Sequence, residues 1–372
     1  MKGTISYLKI ANYRSIDVLE LRNLKPFSVF AGANGAGKTN FFEALDFVNL
    51  VIHNGAFEAI KKHGGFKNIH CLQRNFEEAR VFEFKSIFQF ETQTQATETL
   101  TYHFKISHLD TDPFLEEYLL QGSSGKKWTL NEFFKDNKEG SQAKQQFQRS
   151  GKSFLPLFPL AFSGIPFFKH LRFYRIDPQN AKSPVKNYDD SELSESGANL
   201  AAVLSRLETN ESIRETINEW MELIVPGLEQ VATKNERLTG DTVLAFQEEN
   251  LKQELPAHLI SDGTIYLLSL LVAILDRPFL GVTLIEEPER GLHPQAIMEL
   301  INSFREQATY ERPIWLTTHN EALVRCLKND ELWLVDKKHG LTQMKQVQVV
   351  DKLVSSLDHA WLTNALGGGL PW

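Results

Sequence analysis

Cysteine is scarce in this sequence, which excludes a cysteine-based metal centre. The 372 residues include two cysteines, Cys71 and Cys326, which stand too far apart in sequence to give the close spacing of metal ligands. Both are expected to be reduced, small, apolar residues, as is typical of proteins kept in a reducing compartment. The cysteine content therefore favours a cytoplasmic protein.

Long hydrophobic runs are absent as well. No apolar run approaches the ~20 residues of a membrane-spanning helix. The N-terminus lacks the apolar stretch of a signal peptide, because Lys2 is followed by an alternating, strand-like pattern. These two absences predict a soluble, cytoplasmic protein that does not associate with a membrane.

Positive charge is in deficit, with 40 Lys and Arg against 47 Asp and Glu and a net charge of −7. This balance disfavours a protein that binds nucleic acid over its whole surface, although a local basic patch remains an alternative. The pairs Lys61-Lys62 and Lys126-Lys127 could contact DNA phosphates. A solvated helix face or loop is the favoured interpretation of both pairs.

Methionine is also rare, with four residues against 26 phenylalanines. This ratio indicates a firm aromatic core rather than an adaptable, methionine-rich surface. The hydrophobic fraction of 42% is typical of a globular protein. The length suffices for two average domains or for one large α/β domain with an insertion.

The most specific pattern in the sequence is GANGAGKT at residues 32–39, with the spacing G-x-x-x-x-G-K-[ST]. It follows the apolar run 27–31 and opens onto a helical pattern at Asn40, which is the strand–loop–helix context that the motif requires. Glycines let backbone N–H groups surround an anion, and the helix N-terminus adds partial positive charge. Lys38 is predicted to reach the β- and γ-phosphates, and the Thr39 hydroxyl to ligate Mg²⁺. The loop predicts a nucleoside-triphosphate site; a glycine-rich turn that matches by chance is the alternative.

A pair of carboxylates provides the second element of this site. Residues 281–285 form a buried-strand run that is followed directly by Glu286 and Glu287. Placing two adjacent carboxylates at the end of an apolar strand costs free energy, so a functional role is expected for them. Beside a phosphate-binding loop, Glu286 is predicted to orient Mg²⁺ through water, and Glu287 to polarise the attacking water as general base. A solvent-facing acidic turn is the alternative.

Two further motifs lie at the ends of apolar elements, one before a helix and one after a strand. The sequence Ser-Asp-Gly-Thr at 261–264 stands directly before an apolar helix, and capping by Ser261 alone would explain it. Residues 313–318 predict a buried strand that ends at His319. This histidine is predicted to contact a γ-phosphate, and a hydrogen-bonded core histidine is the alternative.

The remaining pattern predicts strands around this site. Two short strands, over 4–10 and from Ile16 to about Leu24, precede the loop, and the alternating runs 81–90 and 100–106 predict an antiparallel hairpin packed with them. Residues 108–165 have the least regular pattern. Further along, the sequence predicts a strand over 171–176, a helix ending near Ile224, mixed short strands and turns over 227–255, and a helix from Pro294 to about Gln307.

Four of these pieces resemble the Walker A, signature, Walker B and switch-histidine motifs of ABC-type ATPases: residues 32–39, 261–264, 285–288 and 317–319. The sequence is most similar to the RecF/SMC/OLD-like branch, and especially to the AAA-family ATPases of bacterial anti-phage defence systems. The stretches that carry this resemblance are LKIANYRSI, Asn34, GANLAAVL, ISDGT, IEEPERGLHP and the tail over 361–369. It covers most of the chain except a weak zone at about 110–165. Long a/d heptads are absent, so no coiled coil of SMC length is expected.

The resemblance implies an α/β P-loop NTPase fold, an ABC-ATPase head with a mixed or parallel core sheet, an antiparallel β subdomain and a helical insertion. The chain is then a single head, 1–372. Its predicted parts are an N-terminal lobe with the P-loop and antiparallel β over 1–110, an insertion or helical lobe over 111–260, the signature, Walker B, D-loop and switch histidine over 261–345, and a C-terminal tail over 346–372.

The resemblance also implies ATP and Mg²⁺ as cofactors and assigns a role to each motif. Two heads would meet face to face, so that ATP lies between the P-loop of one and the signature of the other, with Glu289 and Arg290 of the D-loop at the dimer seam. The implied cofactor-binding residues are Gly32, Asn34, Gly35, Gly37, Lys38, Thr39 and Asn40, together with Ser261 and Gly263 acting in trans. The implied metal residues are Thr39 and Glu286, and the catalytic residues are Glu287 and His319.

The sequence departs from the family pattern in three places. The signature is Ser-Asp-Gly-Thr rather than Ser-Gly-Gly-Gln, and the acid on the Mg²⁺ side is Glu286 rather than Asp. The longer side chain puts the metal geometry, and with it the turnover rate, in question. A Q-loop glutamine has no clear motif, and Gln179 is the first candidate, before Gln121 and Gln73.

Together these features predict a slow ATPase that dimerises, or forms a higher oligomer, on ATP. The stretch after His319 has no clustered acidic motif of the TOPRIM nuclease kind, so we expect this ATPase to regulate or scaffold a separate effector in anti-phage defence. The expected effector is a nuclease or toxin, TOPRIM-like or HNH. The alternative function is a RecF-like DNA-repair ATPase that clamps DNA. A head that holds ATP without hydrolysing it, or a transporter ATPase, fits the sequence less well.

Overall fold

A computed structural model of the chain describes residues 3–75, 80–91, 96–107, 113–129, 151–157, 170–186, 190–236, 238–278, 280–347, 356–367 and 369. Its strands are β1 (Gly3–Tyr13), β2 (Ile16–Arg22), β3 (Phe27–Ala31), β4 (Val81–Glu91), β5 (Thr97–Ser107), β6 (Phe114–Gln121), β7 (Lys127–Thr129), β8 (Arg172–Tyr174), β9 (Val185–Lys186), β10 (Leu228–Asn235), β11 (Asp241–Glu248), β12 (Leu255–Pro256), β13 (Thr283–Glu286), β14 (Ile314–Thr318), β15 (Leu332–Lys338) and β16 (Leu341–Gln346). Its α-helices are α1 (Lys38–Asn54), α2 (Ala56–Lys62), α3 (Pro178–Ala181), α4 (Leu200–Leu207), α5 (Glu211–Ile224), α6 (Asp262–Leu275), α7 (Pro294–Gln307), α8 (Glu321–Arg325) and α9 (Leu357–Leu362).

The core sheet has the strand order β16-β15-β3-β14-β13-β8. Neighbouring strands from β15 to β8 pair in parallel, and β16 closes the other edge as an antiparallel strand. The predicted mixed or parallel core sheet is therefore confirmed. Because the carboxyl ends of parallel strands lie at one edge of a sheet, the residues that follow β3, β8, β13 and β14 meet there.

Apolar side chains cover both faces of this sheet. Val29 and Ala31 of β3 belong to the core under α6 and α7, whereas Phe30 between them belongs to the core under α1 and the antiparallel sheet. Strand side chains alternate between faces, so a strand that is buried on both sides reads as a continuous apolar run. This explains why β3 and β14 have five buried residues each.

An antiparallel sheet with the order β2-β1-β4-β5-β6-β7 packs against the helix that follows the glycine-rich loop. The predicted hairpin is confirmed, since β4 pairs with β5 along its whole length and β1 pairs with β4. The expectation that 108–165 is the least structured part is wrong for β6 and β7. Residues 108–112, 130–150 and 158–165 lie outside the described residues.

The error over β6 has a physical reason. Glu116 and Glu117 interrupt the apolar alternation of this strand, yet the carboxylate of Glu117 is enclosed. Tyr102 Oη donates to Glu117 Oε1 at 2.6 Å, the Ser153 hydroxyl donates to the same oxygen, and Phe154 N donates to Oε2 at 2.9 Å. These donors come from distant positions in the sequence, so tertiary contacts decide that this glutamate points inward.

A helical lobe lies on the other side of the core sheet. Helix α6 is apolar around nearly its whole circumference, as is typical of a helix buried on all sides, and it packs against α3, α4 and α5. The region predicted as mixed short strands and turns contains two eight-residue antiparallel strands, β10 and β11. None of the helices in the described ranges combines the length and the apolar composition that a bilayer crossing requires.

Glu117 makes the stability of the fold depend on pH. Burial raises the pKa of its carboxyl group to about 7, so between pH 4.5 and pH 7 the folded chain binds more protons at this site than the unfolded chain does. Stability must then fall as pH rises through this window. As pH rises through this window, we expect the free energy of unfolding of the wild type to fall by up to about 3 kcal/mol more than that of Glu117→Gln.

Chemical denaturation at pH 4.5, 6 and 7.5 measures this difference. Glu116→Gln is the matched control, because the neighbouring Glu116 side chain is exposed. An identical pH dependence in wild type and Glu117→Gln would contradict the prediction.

Candidate functional site

The loop over residues 32–37 connects β3 to α1 in a shape that requires its glycines. Gly35 and Gly37 have left-handed backbones with φ of 78° and 104°. A Cβ on Gly32 would collide with the carbonyl of Val335, and one on Gly37 with the hydroxyl of Thr342. Strands β15 and β16 therefore pack closely against the loop and fix its position.

Lys38 folds back over this loop. Its Nζ donates to the carbonyl oxygens of Gly32 at 2.7 Å and Ala33 at 2.9 Å, and the residue is 7% exposed. Burial lowers the pKa of this amine, and the nearby carboxylates of Glu287, Glu289 and Glu286 oppose the shift in that order. A buried cation held by two carbonyls is suited to an anionic ligand.

The other loop residues are divided between surface and interior. Asn34 and Thr39 are exposed, whereas Asn40 is half-buried. Asn40 Nδ2 donates to Ser15 Oγ at 2.6 Å, and Ser15 Oγ lies 2.7 Å from Thr342 Oγ1. The start of α1 is thereby tied to the β1–β2 turn and to β16.

Glu286 and Glu287 follow β13 at the same edge of the sheet. Glu286 Oε2 accepts a hydrogen bond from Arg175 Nε at 2.7 Å. Its Oε1 is buried and has no hydrogen-bond partner among the residues that the structure describes. Glu287 Oε1 lies 2.8 Å from His319 Nδ1, so the predicted base and the predicted phosphate-contacting histidine touch each other.

Glu287 adopts a left-handed backbone with φ of 46°, which is uncommon for a residue with a side chain. Three hydrogen bonds hold this turn. Glu287 N donates to the carbonyl of Thr317 at 3.0 Å, and Tyr266 Oη donates to the carbonyls of Glu286 at 3.2 Å and Glu287 at 2.9 Å. Tyr266, on α6, is a site residue that sequence reasoning missed, since it stands in an unbroken apolar helix pattern.

The signature residues, 261–264, contact parts of the chain other than the glycine-rich loop and the glutamate pair. Ser261 is exposed and caps α6, with Oγ accepting from Thr264 N at 3.1 Å. A Cβ on Gly263 would approach the carbonyl oxygen of Gly291 to 2.7 Å, so the helix start and the D-loop are in close contact. Asp262 accepts from Gln179 Nε2 at 3.0 Å and Lys182 Nζ at 2.6 Å.

The Q-loop candidates contact other parts of the chain. Gln179 contacts Asp262, Gln121 donates to Glu98 at 3.1 Å, and Gln73 donates to the carbonyl of His339. Arg175, and not one of these glutamines, follows β8 and contacts Glu286. The sequence placed Arg175 inside the predicted strand 171–176, whereas β8 ends at Tyr174, so its position beside Glu286 was not predicted.

The D-loop prediction needs a correction. Arg290 is exposed, but Glu289 is only 4% exposed, and its Oε1 accepts a hydrogen bond from Thr318 Oγ1 at 2.6 Å inside the chain. Burial raises the pKa of this carboxyl group to about 7. The side chain of Glu289 therefore lies in the interior of the chain, away from any dimer seam, whereas the Arg290 side chain is at the surface.

A cavity of about 470 Å³ borders the loop, within the usual size of small-molecule sites. Ala33, Asn34, Gly35, Ala36, Asp336, Lys337, Lys338, Asn364, Gly367 and Gly369 line it. The residues at this edge fit Mg²⁺ and a nucleotide. The buried Glu286 Oε1 lacks a donor from the described residues, and the Lys38 amine beside the loop supplies a positive charge for phosphate oxygens.

Comparisons with known proteins identify a family for this chain. A family model described as "AAA domain, putative AbiEii toxin, Type IV TA system" matches residues 27–325. The DNA replication and repair protein RecF of Acinetobacter baylyi is 33% identical over 78 residues, which is 21% of this chain and 19% of RecF. The chain thus spans about a fifth of the length of the curated relative that it matches.

One of two similar solved structures shows the same fold. The crystal structure of the SmcHead bound to the C-winged helix domain of ScpA matches with a TM-score of 0.58 and 14% identity, over 92% of this chain and 97% of that one. The SMC head domain of Thermotoga maritima matches with a TM-score of 0.46 and 14% identity, over 94% and 100% of the two chains. The first match confirms the α/β P-loop fold of an ABC-ATPase head.

The position of Tyr266 generates a prediction about the turn at Glu287. Tyr266→Phe removes the hydroxyl that donates to the Glu286 and Glu287 carbonyls at a residue that is 2% exposed; Glu287 O keeps Arg290 N as a donor at 3.1 Å, and the loss of one buried hydrogen bond costs about 0.5–1.5 kcal/mol. We expect a loss of that size in the free energy of unfolding, measured by chemical denaturation. Tyr310→Phe, at an exposed tyrosine, is the control and should stay within about 0.5 kcal/mol of wild type. Equal stability of the two variants would contradict the assigned role.

Proposed function

The chain belongs to the AAA domain family named above and is an ABC-type ATPase of the RecF/SMC branch, and from that premise we propose that it hydrolyses ATP, closes as a dimer on ATP and regulates a separate effector. The observation that carries the ATPase proposal is the meeting of Lys38, Glu286 and the Glu287–His319 pair at one sheet edge. The family match over 27–325 supports it.

In this proposal the loop and the helix start hold the phosphates. Backbone N–H groups over 35–39 and the Lys38 amine bind phosphate oxygens. Thr39 and Glu286 would hold Mg²⁺, which when bound would supply positive charge for the phosphate oxygens. The departure from Asp to Glu286 puts one extra methylene between strand and metal, and we infer slow turnover from it.

Glu287 acts as the general base. Its carboxylate accepts the proton of the attacking water, while the hydrogen bond from His319 Nδ1 at 2.8 Å keeps the carboxylate in position. The same histidine faces the γ-phosphate when it is bound. Both side chains are about 40% exposed, at 38% for Glu287 and 41% for His319, so the water they act on can enter from the open side of the site.

Ser261 and Gly263 complete the site of a second copy. Ser261 is exposed at the start of a 14-residue helix, and such an N-terminus attracts anions. Helix α6 packs in the helical lobe, whereas α1 packs against α2, β1 and β8. This separation supports binding of a phosphate by the signature in trans rather than in its own protomer.

The proposed partner is a separate effector, a nuclease or toxin of TOPRIM-like or HNH kind, in anti-phage defence. The description of the matching family names a toxin and a type IV toxin–antitoxin system. The SmcHead with the same fold is bound to the C-winged helix domain of ScpA, so a head of this shape can hold a second protein. Closure and opening of the dimer would then control the effector.

A RecF-like DNA clamp is the second candidate. The local identity of 33% with RecF favours it, and the net charge of −7 disfavours it. In that case the ATP-bound dimer encloses duplex DNA with lysine and arginine side chains of its cleft, and no effector is needed.

Dimerisation is the first prediction of this function. In the presence of ATP and Mg²⁺, light scattering should give the mass of a dimer for Glu287→Gln, which binds but does not hydrolyse, and of a monomer for Lys38→Ala. Ser261→Arg in the Glu287→Gln background should also stay monomeric, because a bulky cation fills the trans anion site. Dimers that form equally in all variants without nucleotide would contradict the assignment of Ser261.

The effector and the DNA clamp predict different ligands for the trapped dimer. From cells that carry the neighbouring genes, ATP-bound Glu287→Gln is expected to copurify with a second protein that Lys38→Ala does not retain. Anisotropy of a labelled duplex tests the alternative. ATP-dependent DNA binding that weakens steeply with salt, without a second protein, would favour the clamp and contradict the effector proposal.

A further inference from the structure

Arg175 is placed in the candidate site by the register of the core sheet. Strands β8 and β13 pair in parallel, with Arg172 opposite Thr283 and Tyr174 opposite Ile285. Continuing this register by one residue sets Arg175 beside Glu286. Main-chain pairing therefore brings a guanidinium to the carboxylate that is proposed to hold Mg²⁺.

The guanidinium joins two carboxylates. Arg175 Nε lies 2.7 Å from Glu286 Oε2, and Arg175 Nη2 lies 3.4 Å from Glu43 Oε1. Glu43 also pairs with Arg14. The carboxylate side chains are 12% exposed for Glu286 and 18% for Glu43, whereas that of Arg175 is 45% exposed. The arginine is thus the accessible member of a largely buried chain of charges.

Two features indicate that Arg175 can give up its pairing with Glu286 when a ligand binds. Glu286 Oε1 is buried without a hydrogen-bond partner in the described ranges, so this carboxylate is satisfied on one side only. A guanidinium and a metal ion compete for the same negative charge. Because the arginine is half-exposed, it can leave Glu286 without itself losing hydration.

We propose that Arg175 exchanges partners when the site is loaded. Without nucleotide it neutralises Glu286 and Glu43. With Mg²⁺-nucleotide it releases Glu286 to the metal and turns to the phosphate that is transferred, where a planar, permanently charged guanidinium binds two oxygens at once. This inference rests on the proposed ATPase function and adds a residue to it.

Arg172 offers a matched control on the same strand. Its guanidinium pairs with Asp276 at 3.2 Å and with Glu192 at 3.0 Å, which are not among the candidate site residues. Arg172→Gln therefore removes a β8 arginine and its ion pairs while leaving Glu286 and Arg175 in place. Any effect that follows from general destabilisation of β8 should appear in this variant too.

Three measurements on the full chain test the exchange in Arg175→Gln, Arg175→Lys and Arg172→Gln. The first is the thermal stabilisation of the nucleotide-free chain by Mg²⁺ alone. The second is the Mg²⁺ concentration for half-maximal binding of a non-hydrolysable ATP analogue. The third is kcat for ATP hydrolysis. The first two read the state of Glu286 without any turnover.

For Arg175→Gln we expect three changes. Mg²⁺ stabilises the free chain more than it stabilises wild type, half-maximal binding occurs at about two- to fivefold lower Mg²⁺, and kcat falls about tenfold or more. Arg175→Lys should keep part of kcat, since it retains the charge without the planar fork. Arg172→Gln should lower the melting temperature but change neither the Mg²⁺ dependence nor kcat by more than about twofold.

Other outcomes overturn the inference in distinguishable ways. If wild type binds the analogue and hydrolyses ATP, but Arg175→Gln leaves the Mg²⁺ dependence unchanged or raises the Mg²⁺ requirement, the exchange is wrong and the ATPase proposal stands. An unchanged kcat in that variant also overturns it. A wild type that binds no analogue overturns both. If Arg175→Gln fails to fold, the same comparisons with Arg175→Lys decide the matter.

Discussion

Parallel pairing of β3, β14, β13 and β8 is the constraint on which the rest of this structure depends. Main-chain hydrogen bonds fix the register of these strands, and apolar side chains on both faces prevent them from slipping. Each strand is followed by a polar residue or loop, so the glycine-rich loop, His319, the glutamate pair and Arg175 arrive at one edge. The site is therefore a consequence of strand register.

Three charged residues at this edge, Lys38, Glu286 and Glu289, have low exposure, and burying them is costly unless each has a partner. Carbonyl oxygens hold the Lys38 amine, Thr318 holds Glu289, and arginines cover Glu43 and Glu286. Contacts within the chain thus satisfy most of these charged groups, but Glu286 Oε1 has no donor among the described residues. A site built this way is suited to a ligand that brings both negative phosphates and a cation, as the proposed Mg²⁺-ATP does.

One short segment contacts both halves of the proposed composite site. Arg175 reaches Glu286, and Gln179 and Lys182, a few residues later around α3, hold Asp262 beside the signature serine. The glycine of the signature touches the D-loop through Gly263 and Gly291. In a dimer closed on ATP, nucleotide binding at one site would thus affect the residues that complete the other site. This arrangement is compatible with the SMC-head fold.

The sequence by itself predicted the glycine-rich loop, the glutamate pair after an apolar strand and the helix cap at Ser261, because each is a local pattern, and the resemblance to a family implied the mixed or parallel core. It also predicted the antiparallel hairpin from period-two alternation. It did not predict β6, the burial of Glu289, or the roles of Arg175 and Tyr266. Those depend on partners far away in sequence: Ser153 for Glu117, Thr318 for Glu289, and the strand register for Arg175. Only the tertiary structure decides such contacts, since a polar side chain is buried where distant donors and acceptors happen to satisfy it.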